Sequence, residues 1–135
     1  AGNHDNNIYN KWWSETHNGV KRKDKKTKDD DGNETTEIGW DAKIDTNPSL
    51  AKNLKGHLLL THGTRDNNVH PGNSMRLANE LIKAGKRFDY MPIPGSRHGY
   101  GSKRDYYEQM MWYFFAEHLL GDYRNNVEIG LPDND

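Results

Sequence analysis

Two short polar clusters contain the side chains best suited to acid–base chemistry. The first is His62-Gly63-Thr64-Arg65-Asp66-Asn67-Asn68-Val69-His70, and the second is Gly95-Ser96-Arg97-His98-Gly99-Tyr100-Gly101. An imidazole can carry a proton between two partners. A carboxylate held against it fixes its tautomer and stabilises the imidazolium. Asp66 and His98, separated by 32 positions, are the pair that could work in this way. Two plainer roles compete on chemistry alone: Asp66 can cap a helix, and His98 can be an ordinary loop histidine.

Other polar groupings point to less. Asp29-Asp30-Asp31-Gly32 hints at a calcium loop, but an EF-hand register on that glycine puts Thr27 first and Ile38 last, where carboxylates belong. His4, Asp5 and His17 match no metal-ligand spacing, so no metal site is expected. Asn33-Glu34-Thr35 is a glycosylation sequon, meaningful only in a host that glycosylates.

The two clusters need elements to bring them together. The run 57–61 (His-Leu-Leu-Leu-Thr) has the length of a buried strand and ends at Gly63. Residues 74–84 read as a helix with Met75, Ala78, Leu81 and Ile82 on its apolar face and Gly85 as its C-terminal cap. Residues 88–93 read as a second strand, with Pro92 marking an edge or an end. Residues 105–120 form a strongly aromatic helix closed by Gly121. Strand, helix, strand, helix at these spacings predicts a βαβα unit with parallel strands, hence an α/β fold. Sites in such sheets lie beyond the carboxyl ends of the strands, where both clusters fall.

The N-terminal half is less patterned. A short helix is expected over 8–16, carrying Tyr9, Trp12 and Trp13. Residues 21–37 are charged and nearly free of apolar side chains, with signs that cancel. They read as a solvated, flexible surface insertion within a single partial domain spanning 1–135. Residues 40–53 form a connector with an Asn47-Pro48 turn.

Composition narrows the classes. Basic and acidic residues number 19 and 20, for a net charge of -1, so no basic footprint for nucleic acid is present. Cysteine is absent, which excludes disulfides and thiolate metal sites. No apolar run approaches the ~18 residues of a membrane-spanning helix. Hydrophobic residues make up 32% and charged ones 29%, so the core is modest.

The acid cluster resembles the His-Gly-Thr-x-Asp-x-Asn-Val-His loop of the dipeptidyl peptidase IV branch of the prolyl oligopeptidase family. Arg97-His98-Gly99 resembles the histidine loop of that family, and the segment 47–54 resembles what precedes its acid strand. The resemblance implies the C-terminal portion of an α/β-hydrolase domain, with Asp66 as triad acid and His98 as general base. It implies that Asn68 binds a substrate carbonyl, that Val69 borders a proline pocket, and that Tyr9 and Trp13 supply two of its aromatic walls. Trp13 stands where mammalian-type relatives carry Tyr, and they lack the Gly2-Asn3-His4-Asp5-Asn6 opening, which suggests a divergent bacterial subgroup.

The family needs a serine in Gly-x-Ser-x-Gly, ahead of the acid and the histidine. Ser14, Ser49, Ser74, Ser96 and Ser102 all lack that context. The nearest, Ser74, has Arg76 in place of the second glycine and follows Asp66. The nucleophile is therefore expected upstream of Ala1 in a fuller chain, and these 135 residues alone are expected to be inactive. The implied parent is a serine exopeptidase releasing N-terminal dipeptides from peptide substrates without a cofactor, in a periplasmic or secreted setting. An acylaminoacyl-peptidase, an esterase or a non-enzymatic binding module are the alternatives. With only two confident strands, an open sheet edge is expected to drive self-association.

Overall fold

The computed structural model describes residues 1–41, 44–124 and 128–130. Helix α1 (Lys11–Asn18) is followed by four short strands: β1 (Lys21–Arg22), β2 (Lys25–Lys28), β3 (Glu34–Glu37) and β4 (Trp40–Asp41). A one-turn helix α2 (Asn47–Leu50) continues into a 3-10 turn (Ala51–Asn53). Then come β5 (Leu59–Gly63), α3 (Gly72–Lys83), β6 (Asp89–Ile93), a second 3-10 turn (Gly101–Lys103) and α4 (Arg104–Phe115), which runs on as a π-helical turn (Ala116–Leu120). Within the predicted connector 40–53, residues 42 and 43 lie outside the described residues.

Strands β5 and β6 pair in parallel, from Leu59↔Asp89 to Gly63↔Ile93. A parallel pair needs a crossover, and α3 supplies it. The α/β class expected from the sequence is what forms. Because the register ends at Gly63 and Ile93 together, the two polar clusters leave the sheet side by side. Alternation along β5 sends Leu60 and His62 toward α3 and Thr61 toward Tyr100 on the other face.

The core lies between β5, α3 and the first 3-10 turn: Ala51, Leu60, Leu77, Ala78 and Leu81, with Leu54, Leu58 and Phe88 packed against it. Helix α3 ends as its sequence demands. Gly85 takes φ 63°, its N–H donates to Ile82 O (2.9 Å), and Lys86 N–H donates to Leu81 O (2.9 Å), a Schellman closure that only glycine enters without strain.

The buried face of α3 differs from the predicted one. Asn73, Ser74, Leu77, Ala78 and Leu81 are buried, whereas Met75 and Ile82 are 62% and 67% exposed. Apolar spacing alone chose the wrong phase: the buried stripe includes two polar residues, and Ser74 is held there by His62. Helix α1 begins at Lys11 rather than position 8, because Asn10 caps it by accepting the Trp12 N–H through its side chain (3.0 Å).

The segment 21–37, expected as a solvated, flexible surface insertion, belongs to a β-hairpin that extends to Asp41. Strands β2 and β3 pair antiparallel, matching Lys25 with Glu37, Thr27 with Thr35 and Lys28 with Glu34. Strands β1 and β4 continue the ribbon at its base. Opposite charges facing across an antiparallel pair favour the register, and the Thr27 and Thr35 hydroxyls bond at 2.9 Å. The Asp29-Asp30-Asp31-Gly32 stretch is the hairpin turn: Asp29 accepts the N–H groups of Asp31 and Asn33 (3.2 and 2.8 Å) through its carboxylate. Charge cancellation along the sequence is thus charge pairing across the ribbon.

Candidate active site

The two loops beyond β5 and β6 are joined by backbone bonds before any side chain meets. Thr64 N–H donates to Ile93 O (3.1 Å), Arg65 N–H donates to Ser96 O (2.9 Å), and Gly95 N–H donates to the Thr64 hydroxyl (2.8 Å). The approach is so close that a Cβ on Gly63 would stand 2.5 Å from the carbonyl oxygens of both Ser96 and Arg97. Tyr100 anchors the far end of the histidine loop. It is buried, and its hydroxyl pairs with that of Thr61 at 2.8 Å. It also sits at φ 63°, a left-handed conformation costing a non-glycine residue about 1–3 kcal/mol, so the surrounding contacts must hold it there.

Within this frame Asp66 and His98 meet. Asp66 is buried, and its Oδ1 accepts the N–H groups of Asn68 and Val69, both at 2.9 Å. Its Oδ2 lies 2.8 Å from His98 Nδ1. Burial pushes the carboxyl pKa up, but the bonds from His98, Val69 and Asn68 outweigh it and hold the group below the ordinary carboxylate value. An ionised carboxylate only accepts, so His98 Nδ1 carries the proton and Nε2 presents a lone pair. The His98 side chain is 45% exposed, so that nitrogen is reachable from outside. A buried carboxylate, an imidazole of fixed tautomer and an accessible basic nitrogen are the parts that acid–base chemistry requires.

The other predicted site residues are placed as follows. Tyr9 donates its hydroxyl to Asn68 Oδ1 at 2.7 Å, joining the segment before α1 to the acid loop. Val69 is buried, and its backbone N–H and carbonyl are both committed to the acid loop. Trp13 is partly exposed on α1, with its ring against that of His17 at 4.1 Å.

Sequence reasoning passed over His62, which proves central. It is 1% exposed; Nε2 donates to Val69 O at 2.8 Å and Nδ1 lies 2.6 Å from Ser74 Oγ. With the proton on Nε2, Nδ1 accepts from the Ser74 hydroxyl. Asp66 Oδ2 stands 3.2 Å from the same Nε2. Ser74, His62 and Asp66 therefore line up like a second triad, but Ser74 is 0% exposed and no substrate can reach it. Of the remaining serines, Ser14 and Ser96 are buried with backbone partners, Ser49 closes a capping box with Thr46 at the start of α2, and exposed Ser102 lies in the Gly101–Lys103 turn. Among the described residues, His98 bonds to Asp66 and to no serine. No group of three or more potential metal ligands gathers among them either.

The chain is similar to proteins of one family. A family model described as the prolyl oligopeptidase family matches residues 3–122. Dipeptidyl peptidase 4 of Arthroderma otae is 59% identical over 34 residues, a quarter of this chain and 4% of that protein. Dipeptidyl peptidase family member 1 of Caenorhabditis elegans is 33% identical over 86 residues, 61% of this chain and 11% of that protein. The crystal structure of Porphyromonas gingivalis dipeptidyl peptidase 4 superposes with a TM-score of 0.51 and 29% identity, over 55% of this chain and 11% of that one. The chain thus spans only a small part of the length of the proteins it matches.

Proposed function

Since the chain belongs to the prolyl oligopeptidase family, we propose that it is the acid-and-histidine part of a serine exopeptidase that releases dipeptides from peptide N-termini. The observation that carries this reading is the 2.8 Å bond between the buried Asp66 and the accessible His98. A serine from outside these residues attacks the scissile carbonyl while His98 Nε2 takes its proton. Asp66 stabilises the resulting imidazolium. His98 then gives the proton to the departing amine, and water enters by the reverse route to free the acyl group and restore the serine. No cofactor is needed for these steps.

Asn68, held by Tyr9, is the group we assign to a substrate carbonyl. Val69 and Trp13 are assigned to the border of a pocket for a proline-type side chain. Among the described residues no serine bonds to His98, and the 135 residues alone are expected to turn nothing over. The test is the full-length protein assayed on chromogenic dipeptides, acylated amino acids and simple esters, with Asp66→Asn and His98→Ala beside the wild type. Dipeptide release abolished by either substitution supports the reading. Turnover only of acylated amino acids or esters reassigns the substrate. No triad-dependent turnover of any substrate leaves a binding module.

A further inference from the structure

The buried imidazole of His62 has no part in the proton transfers above, yet it lies 3.2 Å from the carboxylate oxygen of the triad acid that meets His98. Asp66 Oδ2 lies between two rings, 2.8 Å from His98 Nδ1 and 3.2 Å from His62 Nε2. The same Nε2–H donates to Val69 O, whose residue returns its own N–H to Asp66 Oδ1. Ser74, on α3, sits at Nδ1. We infer that His62 is a positioning residue for the triad acid: its Nε2–H ties the acid loop to β5 and sets the carboxylate plane from which Asp66 addresses His98. This rests on the reading of a dipeptide-releasing exopeptidase and names a residue that reading does not use.

The geometry explains why an imidazole occupies this place. A buried ring must satisfy both nitrogens. The Ser74 hydroxyl satisfies Nδ1 as a donor, which leaves the proton on Nε2, where Val69 O requires it. Burial pushes the His62 pKa down, keeping the ring neutral. A neutral donor supports the Asp66 carboxylate without removing the negative charge that His98 needs.

A pair of amide substitutions in the full-length protein separates positioning from mere packing. His62→Gln puts its amide N–H near the place of Nε2, keeping the donor to Val69 and Asp66 but losing Ser74. His62→Asn keeps a polar group near the place of Nδ1, facing Ser74, and loses the donor to the acid loop. On a chromogenic dipeptide, His62→Gln is expected to keep kcat within about threefold, whereas His62→Asn loses about 10²-fold with KM little changed, as for a displaced catalytic group. A merely structural role predicts the reverse order or equal losses, and either result overturns the proposal.

Two further readouts keep the outcome decisive. Ser74→Ala retains the ring and removes the hydroxyl that sets its tautomer. It is expected to lower kcat severalfold at unchanged KM, and an unchanged kcat would break the proposed link. Crystal structures of the two amide variants give the Asp66–His98 separation without relying on a substrate. It should stay at hydrogen-bond length in His62→Gln and exceed that range in His62→Asn. If wild type and Asp66→Asn are equally inactive on chromogenic dipeptide substrates, the exopeptidase reading fails, while this distance still decides the role of His62.

Discussion

Gly63 is where a single methyl group should do the most damage to the site. A Cβ there would lie 2.5 Å from the carbonyl oxygens of Ser96 and Arg97, both backbone atoms with no side-chain freedom to retreat. Ordinary contact begins at 3.4 Å, so the histidine loop must withdraw by about 0.9 Å to admit an alanine. That movement is directed along the line joining the two loops. It strains the Arg65–Ser96 bond first and then the 2.8 Å bond between Asp66 and His98, which has little slack before it stops being a hydrogen bond. In the full-length protein we expect Gly63→Ala to lower kcat by about 10²-fold, the usual penalty for a misplacement near 1 Å. Overpacking should also cost about 1–3 kcal/mol of stability. Gly56→Ala, at an exposed glycine with nothing within 4 Å of the added methyl, is the control and should change neither quantity measurably. Turnover of a chromogenic dipeptide and the melting temperature read both effects. A folded Gly63→Ala protein with wild-type kcat would refute the argument that backbone proximity sets the Asp66–His98 geometry.

Leu81, 1% exposed at the centre of the core, should lose about 2–5 kcal/mol on truncation to alanine, whereas exposed Ile82→Ala should lose much less; equal losses in chemical denaturation would contradict the observed phase of α3. Acid should destabilise the fold in two windows. In the isolated 135-residue chain His4 is depressed from 6.5 to about 4, by burial first and then by the nearby amino terminus and His62, so the unfolded chain binds the extra proton and stability falls as pH drops from 6.5 toward 4. Discounted for solvent screening of the partly buried ring, that change is worth about 1–2 kcal/mol, and His4→Gln should flatten it in urea titrations at stepped pH. The Asp66 carboxyl is also depressed, so its contribution is present above 3.8 and is lost only as pH falls through its lower folded value; Asp66→Asn should remove that second slope. The two-stranded β5–β6 sheet leaves hydrogen-bonding edges open, and we propose that the isolated 135-residue chain self-associates through one of them; a monomer by light scattering at micromolar concentration would contradict this.

Much of the site was legible because its signals are local. A strand ending in His62-Gly63 and another ending ahead of Gly95 are each followed by polar residues, and parallel pairing then brings the two loops together wherever the strands are adjacent. Strand order put Asp66 and His98 at one sheet edge but left a helix cap and a loop histidine open as their roles, while the type and order of the C-terminal elements followed from hydrophobic runs and glycine caps. Tertiary structure decided what depends on neighbours distant in sequence. Lys and Glu residues that read as a solvated run become cross-strand partners only once the hairpin closes, because a charge pattern does not reveal which residues will face each other. The phase of α3 depended on where β5 lies beneath it, so Ser74 is buried to meet His62 while Met75 and Ile82 turn outward. Gly63 looks like any turn glycine until the Ser96 and Arg97 carbonyls arrive above it, and Tyr100 shows nothing of its left-handed backbone until Thr61 holds its hydroxyl. Covalent order and side-chain chemistry determine which groups are available. Only the packed chain determines which of them share one buried carboxylate, because a separation of a few ångströms arises there between residues tens of positions apart.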